Sequence, residues 1–334
     1  MHPSTPSETG RGSWGGAGRP EPSGAYPPPG RPGHGAPEEP YEPALRHDDE
    51  PVDDDLDLVE EVPVRRPLSL AVAGFSALLG SGLILSAFAS GPSERLPLTL
   101  TIFAVQVLFV LAWTMAVRPP AMWLIAGVAL VVAAGADYAA VTSEVAALAP
   151  LGYVAVGGFA AAVIAQLARR ANRSEVTESI GSTLVIVVGV VAFAALIVLS
   201  RHPAGTQAIL VCLTAAAVAL TVARLVDAFW ARPRLAPQVP RGAAGVVAGA
   251  MAGTLTAAVL GSYIVHLTPT SGAVIGLVTA AAAVLVDLST GYAEAGRLMA
   301  GEAPTMWLAR HLQGPLGAFA LAAPVAYATS MIFL

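Results

Sequence analysis

The residues of this 334-residue chain whose types and spacing could do chemistry are carboxylates within long apolar segments. Asp287 stands in the apolar stretch 284–290 and has no basic residue one helical turn away. Asp227 follows Arg224 by three positions, so the two side chains would share a helix face and could pair. Because ionisable groups are costly to place in hydrocarbon, each is a candidate functional residue, and Asp287 fits a hydrogen-bonded structural role equally well.

Two further ionisable residues lie near the predicted ends of apolar segments. Asp137 is late in the segment 120–142, and His266 closes the segment 242–266. We interpret both as residues of the membrane interface, where polar side chains still reach water.

The elements that must position these side chains are long apolar segments separated by short loops. A helix that crosses a bilayer needs about 20 mainly apolar residues. Breaks such as Gly91-Pro92, Arg118-Pro119-Pro120 and Thr268-Pro269 separate the segments. We predict nine spans, at 68–90, 97–117, 120–142, 146–167, 179–200, 206–230, 242–266, 271–292 and 314–334.

Charges are scarce beyond residue 66. The whole chain is 12% charged, whereas soluble proteins carry about 25%. Residues 67–334 contain nine acidic residues and 12 arginines, a net charge of +3. A surface so poor in charge is typical of contact with lipid rather than water, which predicts an all-α, polytopic transmembrane helix bundle over 67–334.

The first 66 residues have a different composition. They are rich in Pro, Gly and Ser up to about residue 47 and then acidic, with 14 acidic residues and six arginines and a net charge of −8. Such a segment buries too little apolar surface to offset its ordering entropy, so we predict a disordered tail. The acidic run at 48–61 is either simply solvated or a docking segment for a basic protein partner or for the arginine loops of this chain.

Composition also excludes several classes of function. Lysine is absent, the six histidines show no metal-ligand spacing, and the single cysteine cannot form an intrachain disulfide. The arginines are scattered over loops without a basic domain, so no nucleic-acid partner is expected. No phosphate-binding glycine loop, nucleophile elbow or zinc motif is present.

The placement of arginine predicts the orientation. Positively charged residues favour cytoplasmic loops. With the N-terminus in the cytoplasm and the C-terminus outside, only Arg95 and Arg201 fall on the outer face. The inner face then carries Arg65, Arg66, Arg118, Arg169, Arg170, Arg173, Arg224, Arg232, Arg234, Arg241, Arg297 and Arg310. The expected location is the cell (inner or plasma) membrane.

Three ordered stretches in the second half of the chain resemble one family. Asp227 is followed by Leu-Ala-Pro at 235–237, by Pro240 and by a glycine-rich segment. Residues 276–288 run from Gly-Leu to Asp-Leu, and residues 322–327 read Ala-Ala-Pro-Val-Ala-Tyr. In order and interval they resemble the phosphatidate cytidylyltransferases (CDP-diacylglycerol synthases) over residues 206–334, with weaker similarity in span layout back to 67.

The resemblance implies roles for particular residues. If the chain is active, Asp227 and Asp287 are its catalytic residues and hold Mg²⁺, with substrate phosphates and waters as the other ligands. The substrate-binding residues that the resemblance implies are Arg224, Arg234, Arg241 and His311.

The sequence nevertheless lacks most of the family's charged signature. The family carries S-x-x-K-R and then P-G-H-G-G-x-x-D-R-x-D, whereas residues 298–319 contain no acidic residue after Glu302. His311 lies close to, but not at, the position of the family histidine. Ala243 and Gly245 stand where the family's loop has a threonine and an acidic residue. We therefore expect a diverged relative that keeps the scaffold and has lost most of the catalytic groups.

The expected function is lipid binding or regulation by this degenerate scaffold, because arginines near the cytoplasmic interface attract anionic phospholipid. One alternative is an active, Mg²⁺-dependent CTP:phosphatidate cytidylyltransferase that makes CDP-diacylglycerol. Others are a structural membrane partner and a small-solute transporter, for which intramembrane polar residues along a path would be expected. A homodimer is left open.

Overall fold

The computed structural model describes residues 61–90, 94–168, 173–265 and 267–333. The predicted tail at 1–66 and its acidic run therefore lie almost wholly outside the described residues, and so does His266.

Within these ranges the chain forms long helices and one two-stranded antiparallel hairpin. The elements are α1 (Arg66–Ala89), α2 (Leu96–Val117), α3 (Met122–Thr142), α4 (Ala149–Leu167), α5 (Arg173–Ser200), α6 (Gly205–Phe229), β1 (Arg234–Ala236), β2 (Val239–Gly242), α7 (Ala243–Gly261), α8 (Pro269–Met299) and α9 (Trp307–Phe333).

The predicted count of spans is confirmed. In the described part of the chain, nine helices are long and apolar enough to cross a membrane. Large apolar side chains cover the outside of the bundle, for example Leu78 at 75% exposure, Trp123 at 77% and Tyr153 at 78%. A water-soluble protein rarely exposes apolar surface on this scale, so the chain is an integral membrane protein.

Helix starts follow the proline positions in the sequence. Proline lies in the first turn of α1, α2, α4 and α8, where its missing N–H is not needed and its fixed φ favours the helix. Thr268 caps α8 by accepting a hydrogen bond from the Ser271 N–H at 3.1 Å. Prolines in the sequence therefore mark the starts of these four helices.

The last two helices differ from the predicted spans. Helix α9 begins at Trp307 rather than 314 and contains Pro315 and Pro324 in its interior. Membrane helices tolerate proline because neighbouring helices and side chains satisfy the freed carbonyls. Helix α8 continues to Met299, seven residues beyond its predicted end, and so carries polar residues past the apolar segment.

Helix α6 packs against α1, α7 and α8. Gly245, Gly249 and Gly253 recur every four residues along α7 and lie against α6. A Cβ added at Gly249 would lie 2.4 Å from the Ala219 carbonyl oxygen, and one at Gly253 would lie 2.5 Å from that of Ala215. Small residues on α7 thus let its backbone approach that of α6, as in other membrane helix pairs.

We call the end of the bundle that carries β1 and β2 the hairpin end. Residues 61–65, which precede α1, lie against this hairpin: the Val62 N–H donates to the Pro237 carbonyl at 3.0 Å. At the opposite end, Arg201 donates to the Ala140 and Ser143 carbonyls at 2.8 and 2.5 Å and so caps α3.

Candidate functional site

Asp287 lies on α8 with no exposed surface, and each of its carboxylate oxygens contacts an arginine from a different element. Its Oδ1 is 2.5 Å from Nη2 of Arg224 on α6. Its Oδ2 is 2.5 Å from Nη1 of Arg241 on β2. Asp287 has no basic partner on its own helix, but α6 and β2 each supply an arginine.

Asp227, at the end of α6, completes the group. Its Oδ2 is 2.5 Å from Nε of Arg241, and its Oδ1 accepts a hydrogen bond from the Gly242 N–H at 2.9 Å. Arg241 therefore bridges the two aspartates. We call Arg224, Asp227, Arg241 and Asp287 the charge cluster.

Arg224 and Asp227, which the sequence places on one helix face, take different ion-pair partners. Among the described residues, no ion pair within 4 Å joins them, although they stand three apart on α6. Arg224 reaches α8, whereas Asp227 is held by the hairpin. Spacing along one helix shows which side chains are neighbours on that helix. It does not show which residues of other elements pack against them.

Two glycines make room for the aspartates. A Cβ at Gly245 would lie 2.4 Å from Asp227 Oδ1, and one at Gly314 would lie 2.0 Å from Asp287 Oδ1. Real Cβ atoms essentially never approach an oxygen so closely. The glycine-rich start of α7 and the Gly-Pro step of α9 therefore let these helices close over the charge cluster.

The charge cluster is electrically balanced, with two arginines and two aspartates. Burial disfavours the charged form of Arg241, but Asp287 and Asp227 more than offset this and raise the pKa of its guanidinium. Arg241 Nη2 and Arg224 Nε are buried atoms without a hydrogen-bond partner in the described structure. The cluster thus keeps two guanidinium nitrogens that no described acceptor contacts, while Arg241 Nε has only its ion-pair contact with Asp227 Oδ2.

The charge cluster lies beside a cavity of about 900 Å³ at the hairpin end. Arg224 and Arg241 line it from the bundle interior. Leu68, Leu298 and Trp307 add apolar surface. The remaining ionisable residues that line it are Arg65, Glu294, Arg310 and His311.

His311 and Arg234, two of the predicted site residues, lie apart from the cluster. His311 lines the cavity, and its Nδ1 lies 2.5 Å from the Trp307 carbonyl oxygen one turn earlier on α9. Arg234 is not among the residues that line the cavity. It donates to the Val62 carbonyl at 2.5 Å and pairs with Glu61 at 3.5 Å, so it fastens residues 61–65 to the hairpin.

Sequence reasoning missed several residues of the cavity. Glu294 and Arg310 form an ion pair between the end of α8 and the start of α9, and Arg65 precedes α1. Both arginines belong to the set that the sequence assigns to one face. Only the folded chain brings Arg65 and Arg310, 245 positions apart, to one cavity, so no local pattern marks them.

The residues do not fit the magnesium ion that the resemblance implies. All four oxygens of Asp227 and Asp287 already contact an arginine nitrogen or a backbone N–H. Magnesium needs free oxygen ligands, and two adjacent guanidinium groups would repel it. In the part of the chain that the structure describes, no group of three or more His, Cys, Asp or Glu could hold a metal. Catalytic roles for the two aspartates stay a prediction.

The interfacial assignment of Asp137 is wrong. Its side chain lies between helices with only 4% of the residue exposed, and its Oδ1 accepts a hydrogen bond from Gln106 Nε2 on α2 at 2.9 Å. Gln106 has no exposed surface. The sequence shows how far Asp137 stands from the end of α3 but not which way the side chain faces, and here it faces α2 and α5.

Comparison with known proteins adds no assignment. A scan against protein-family models finds no match for the chain, and a search of the curated proteins finds none either. The likeness to the cytidylyltransferases therefore rests on the sequence stretches alone.

Proposed function

We propose that this integral membrane protein binds the headgroup of an anionic phospholipid in the cavity at the hairpin end, on a cytidylyltransferase-like scaffold that has lost catalysis. The observation that carries the proposal is the charge on the cavity lining. Four arginines line it and a single carboxylate, Glu294, opposes them. The two aspartates of the charge cluster balance its two arginines, and Glu294 pairs with Arg310, so Arg65 gives the lining its net positive charge. The two cluster arginines add nitrogens that have no hydrogen-bond partner in the described structure.

The position of the cavity supports a lipid rather than a soluble ligand. Asp287 is 18 residues after the start of α8, which is about 27 Å along a helix of 1.5 Å per residue. The hydrocarbon core of a bilayer is about 30 Å thick. The charge cluster thus falls near the edge of the hydrocarbon, at the depth where headgroups begin.

The lining suits an amphiphile. Trp307 is 60% exposed and Leu298 is 44% exposed beside the arginines of the cavity. Tryptophan is enriched at the level of the headgroups, where one end of the ring is wet and the other apolar. Arginine binds phosphate oxygens through two N–H groups at once.

The proposed orientation has the hairpin end in the cytoplasm, since all the arginines in the described part of the chain except Arg95 and Arg201 belong to that end. The test uses Cys212→Ala as the background and introduces one cysteine, by Asn172→Cys or Glu144→Cys. A membrane-impermeant thiol reagent added to intact cells should label Glu144→Cys and spare Asn172→Cys. The reverse pattern would overturn the orientation while leaving the cavity assignment unaffected.

Lipid binding is tested on the purified full chain in neutral detergent. Anisotropy of a phosphatidylglycerol labelled on its acyl chain reports binding. Each arginine near a headgroup contributes about 1 kcal/mol, so Arg65→Gln with Arg310→Gln should weaken binding roughly 30-fold.

The matched control is Arg66→Gln with Arg118→Gln. It removes the same charge from two exposed arginines that do not line the cavity. The affinity should stay within about twofold of the parent, because salt screens exposed charges that lie away from the bound headgroup. Equal losses in both pairs would mean that the lipid is held by general surface charge, and the cavity would no longer be its site.

Catalysis is tested separately with phosphatidate, labelled CTP and Mg²⁺. We expect no CDP-diacylglycerol from the folded parent chain, because the carboxylate oxygens that a metal would need are already in contact with arginines and a backbone N–H. Product formed by the parent and lost in Asp287→Asn would show that the scaffold is still an enzyme.

A further inference from the structure

A second buried polar group lies far from the charge cluster, between α2, α3 and α5. It consists of Gln106 on α2 and Asp137 on α3, with the Val190 carbonyl of α5. Gln106 Nε2 donates to Asp137 Oδ1 and to Val190 O, both at 2.9 Å. One amide group therefore ties three helices together.

This group leaves two oxygens without a donor. Asp137 Oδ2 and Gln106 Oε1 are both buried and have no hydrogen-bond partner in the described structure. The Gln106 amide cannot donate to either of these oxygens, because its two hydrogens already go to Asp137 Oδ1 and to the Val190 carbonyl. A buried acceptor without a donor is costly, so these two oxygens favour binding a donor hydrogen.

The surroundings contain no cation to balance a charge on Asp137. One turn away on either side lie Ala133 and Ala140, and the faces of α2 and α5 around the group present Ile102, Val110 and Phe193, all buried. In the described ranges no ion pair involves Asp137. An uncompensated carboxylate in such a site costs several kcal/mol.

The charged and titratable groups of the neighbouring elements lie elsewhere. Arg95 and Arg201 cap the end of α3, where they donate to the Val141 and Ala140 carbonyls. Tyr138 is 72% exposed and Tyr153 of α4 is 78% exposed, so both face outward, and Glu144 lies in the loop after α3. The charged residues at the start of α5 stand at least 12 positions before Val190.

We propose that Asp137 and Gln106 form a proton-binding site within the membrane, in which Asp137 is the neutral carboxylic acid at neutral pH. The proton is on Oδ2, and Oδ1 accepts the hydrogen bond from Gln106. A hydrogen atom on Oδ2 supplies the donor that the two unpartnered oxygens lack. No charge then remains to be balanced between the three helices.

A proton fits the site better than a metal cation. Metal ions such as Mg²⁺ and Ca²⁺ take six or more oxygen ligands. The group offers two side-chain oxygens without a partner, and the Val190 carbonyl already accepts from Gln106. Asp137 lies five residues before the end of α3, about 8 Å along the helix, and Gln106 lies ten residues after the start of α2.

Infrared difference spectroscopy tests the proposal on the full chain in detergent at neutral pH. The parent should show the carbonyl stretching band of a protonated carboxyl, shifted in D₂O, and Asp137→Asn should lose the equivalent of one carboxyl per chain. Asp137→Glu should keep a band, which guards against a folding defect in Asp137→Asn. The matched control, Glu144→Gln, removes an exposed carboxylate in the loop after α3 and should leave the band unchanged.

Two results would overturn the proposal. Identical spectra of the parent and Asp137→Asn would mean that Asp137 is ionised. Disappearance of the band when sodium chloride replaces choline chloride at constant pH would mean that the site holds sodium rather than a proton. Neither result depends on the lipid-binding cavity, which lies at the other end of the bundle.

Discussion

Asp287 and Asp137 are both buried carboxylates on apolar helices, but their surroundings differ. Asp287 contacts two arginines at 2.5 Å and shares one of them with Asp227. Asp137 has an amide from Gln106 and, in the described structure, no cation. The first group keeps its charges and balances them, whereas the second, as we propose, removes its charge by binding a proton.

The difference arises because one carboxylate has arginines within reach, whereas the other is surrounded by apolar side chains. The charge cluster lies at the hairpin end, where a chain segment between two spans returns Arg241 against α6 and α8. The Gln106–Asp137 group lies within α2, α3 and α5, where the neighbouring residues are apolar. An arginine inside that region would need its own partner, so a neutral acid is the less costly arrangement.

Removing the carboxylate of Asp287 should have the largest effect. Asp287→Leu leaves Arg224 without a carboxylate partner and Arg241 with Asp227 alone, and breaking a buried pair in this way costs about 3–5 kcal/mol. We expect a large fall in the free energy of unfolding, measured by chemical denaturation in detergent.

The control for this change removes the stranded charge as well. Asp287→Leu combined with Arg224→Leu restores a balance of one arginine and one aspartate, and it should recover part of the lost stability. If Asp287→Leu alone proved as stable as the parent, the ion pairs of the charge cluster would contribute nothing to the fold, and the contrast with Asp137 would fail.

Crowding the charge cluster should have a smaller effect. Gly314→Ala places a Cβ where Asp287 Oδ1 now lies, so α9 must move away from α8. Overpacking of this kind costs about 1–3 kcal/mol. The same denaturation measurement detects it.

The matched control is Gly127→Ala on α3, where an added Cβ would meet nothing within 4 Å. Alanine is favoured over glycine in a helix by about 1 kcal/mol, so this variant should be at least as stable as the parent. Equal destabilisation by both changes would point to a general effect of replacing helix glycines and not to the space around Asp287.

Much of this fold is predictable from the sequence, because apolar length alone decides which segments cross a membrane. The count of nine spans is confirmed in the described part of the chain, and four of these helices carry a proline in their first turn. The continuation of α9 through Pro315 is not predictable in the same way. A proline in the sequence usually ends a helix, and only the packed neighbours allow this one to continue.

The candidate site is only partly predictable. Asp227, Asp287, Arg224 and Arg241 stand out because charges are rare in this part of the chain, and the structure brings all four together. Their pairing is set by tertiary contacts between α6, α8 and the hairpin, which one-helix spacing does not contain. Gln106 was missed altogether, since a single amide in an apolar segment has no sequence signal until its partner is known.

The smallest expected effect is at Asp137, and it sharpens the comparison most directly. Asp137→Leu removes the acid and leaves Gln106 Nε2 its second acceptor, the Val190 carbonyl. Hydrogen bonds between membrane helices contribute about 0.6 kcal/mol on average, so stability should fall by about 1 kcal/mol or less. A neutral carboxyl leaves no stranded charge when it is removed, in contrast to Asp287→Leu. A loss as large as that of Asp287→Leu in the same denaturation assay would mean that Asp137 is ionised and paired after all.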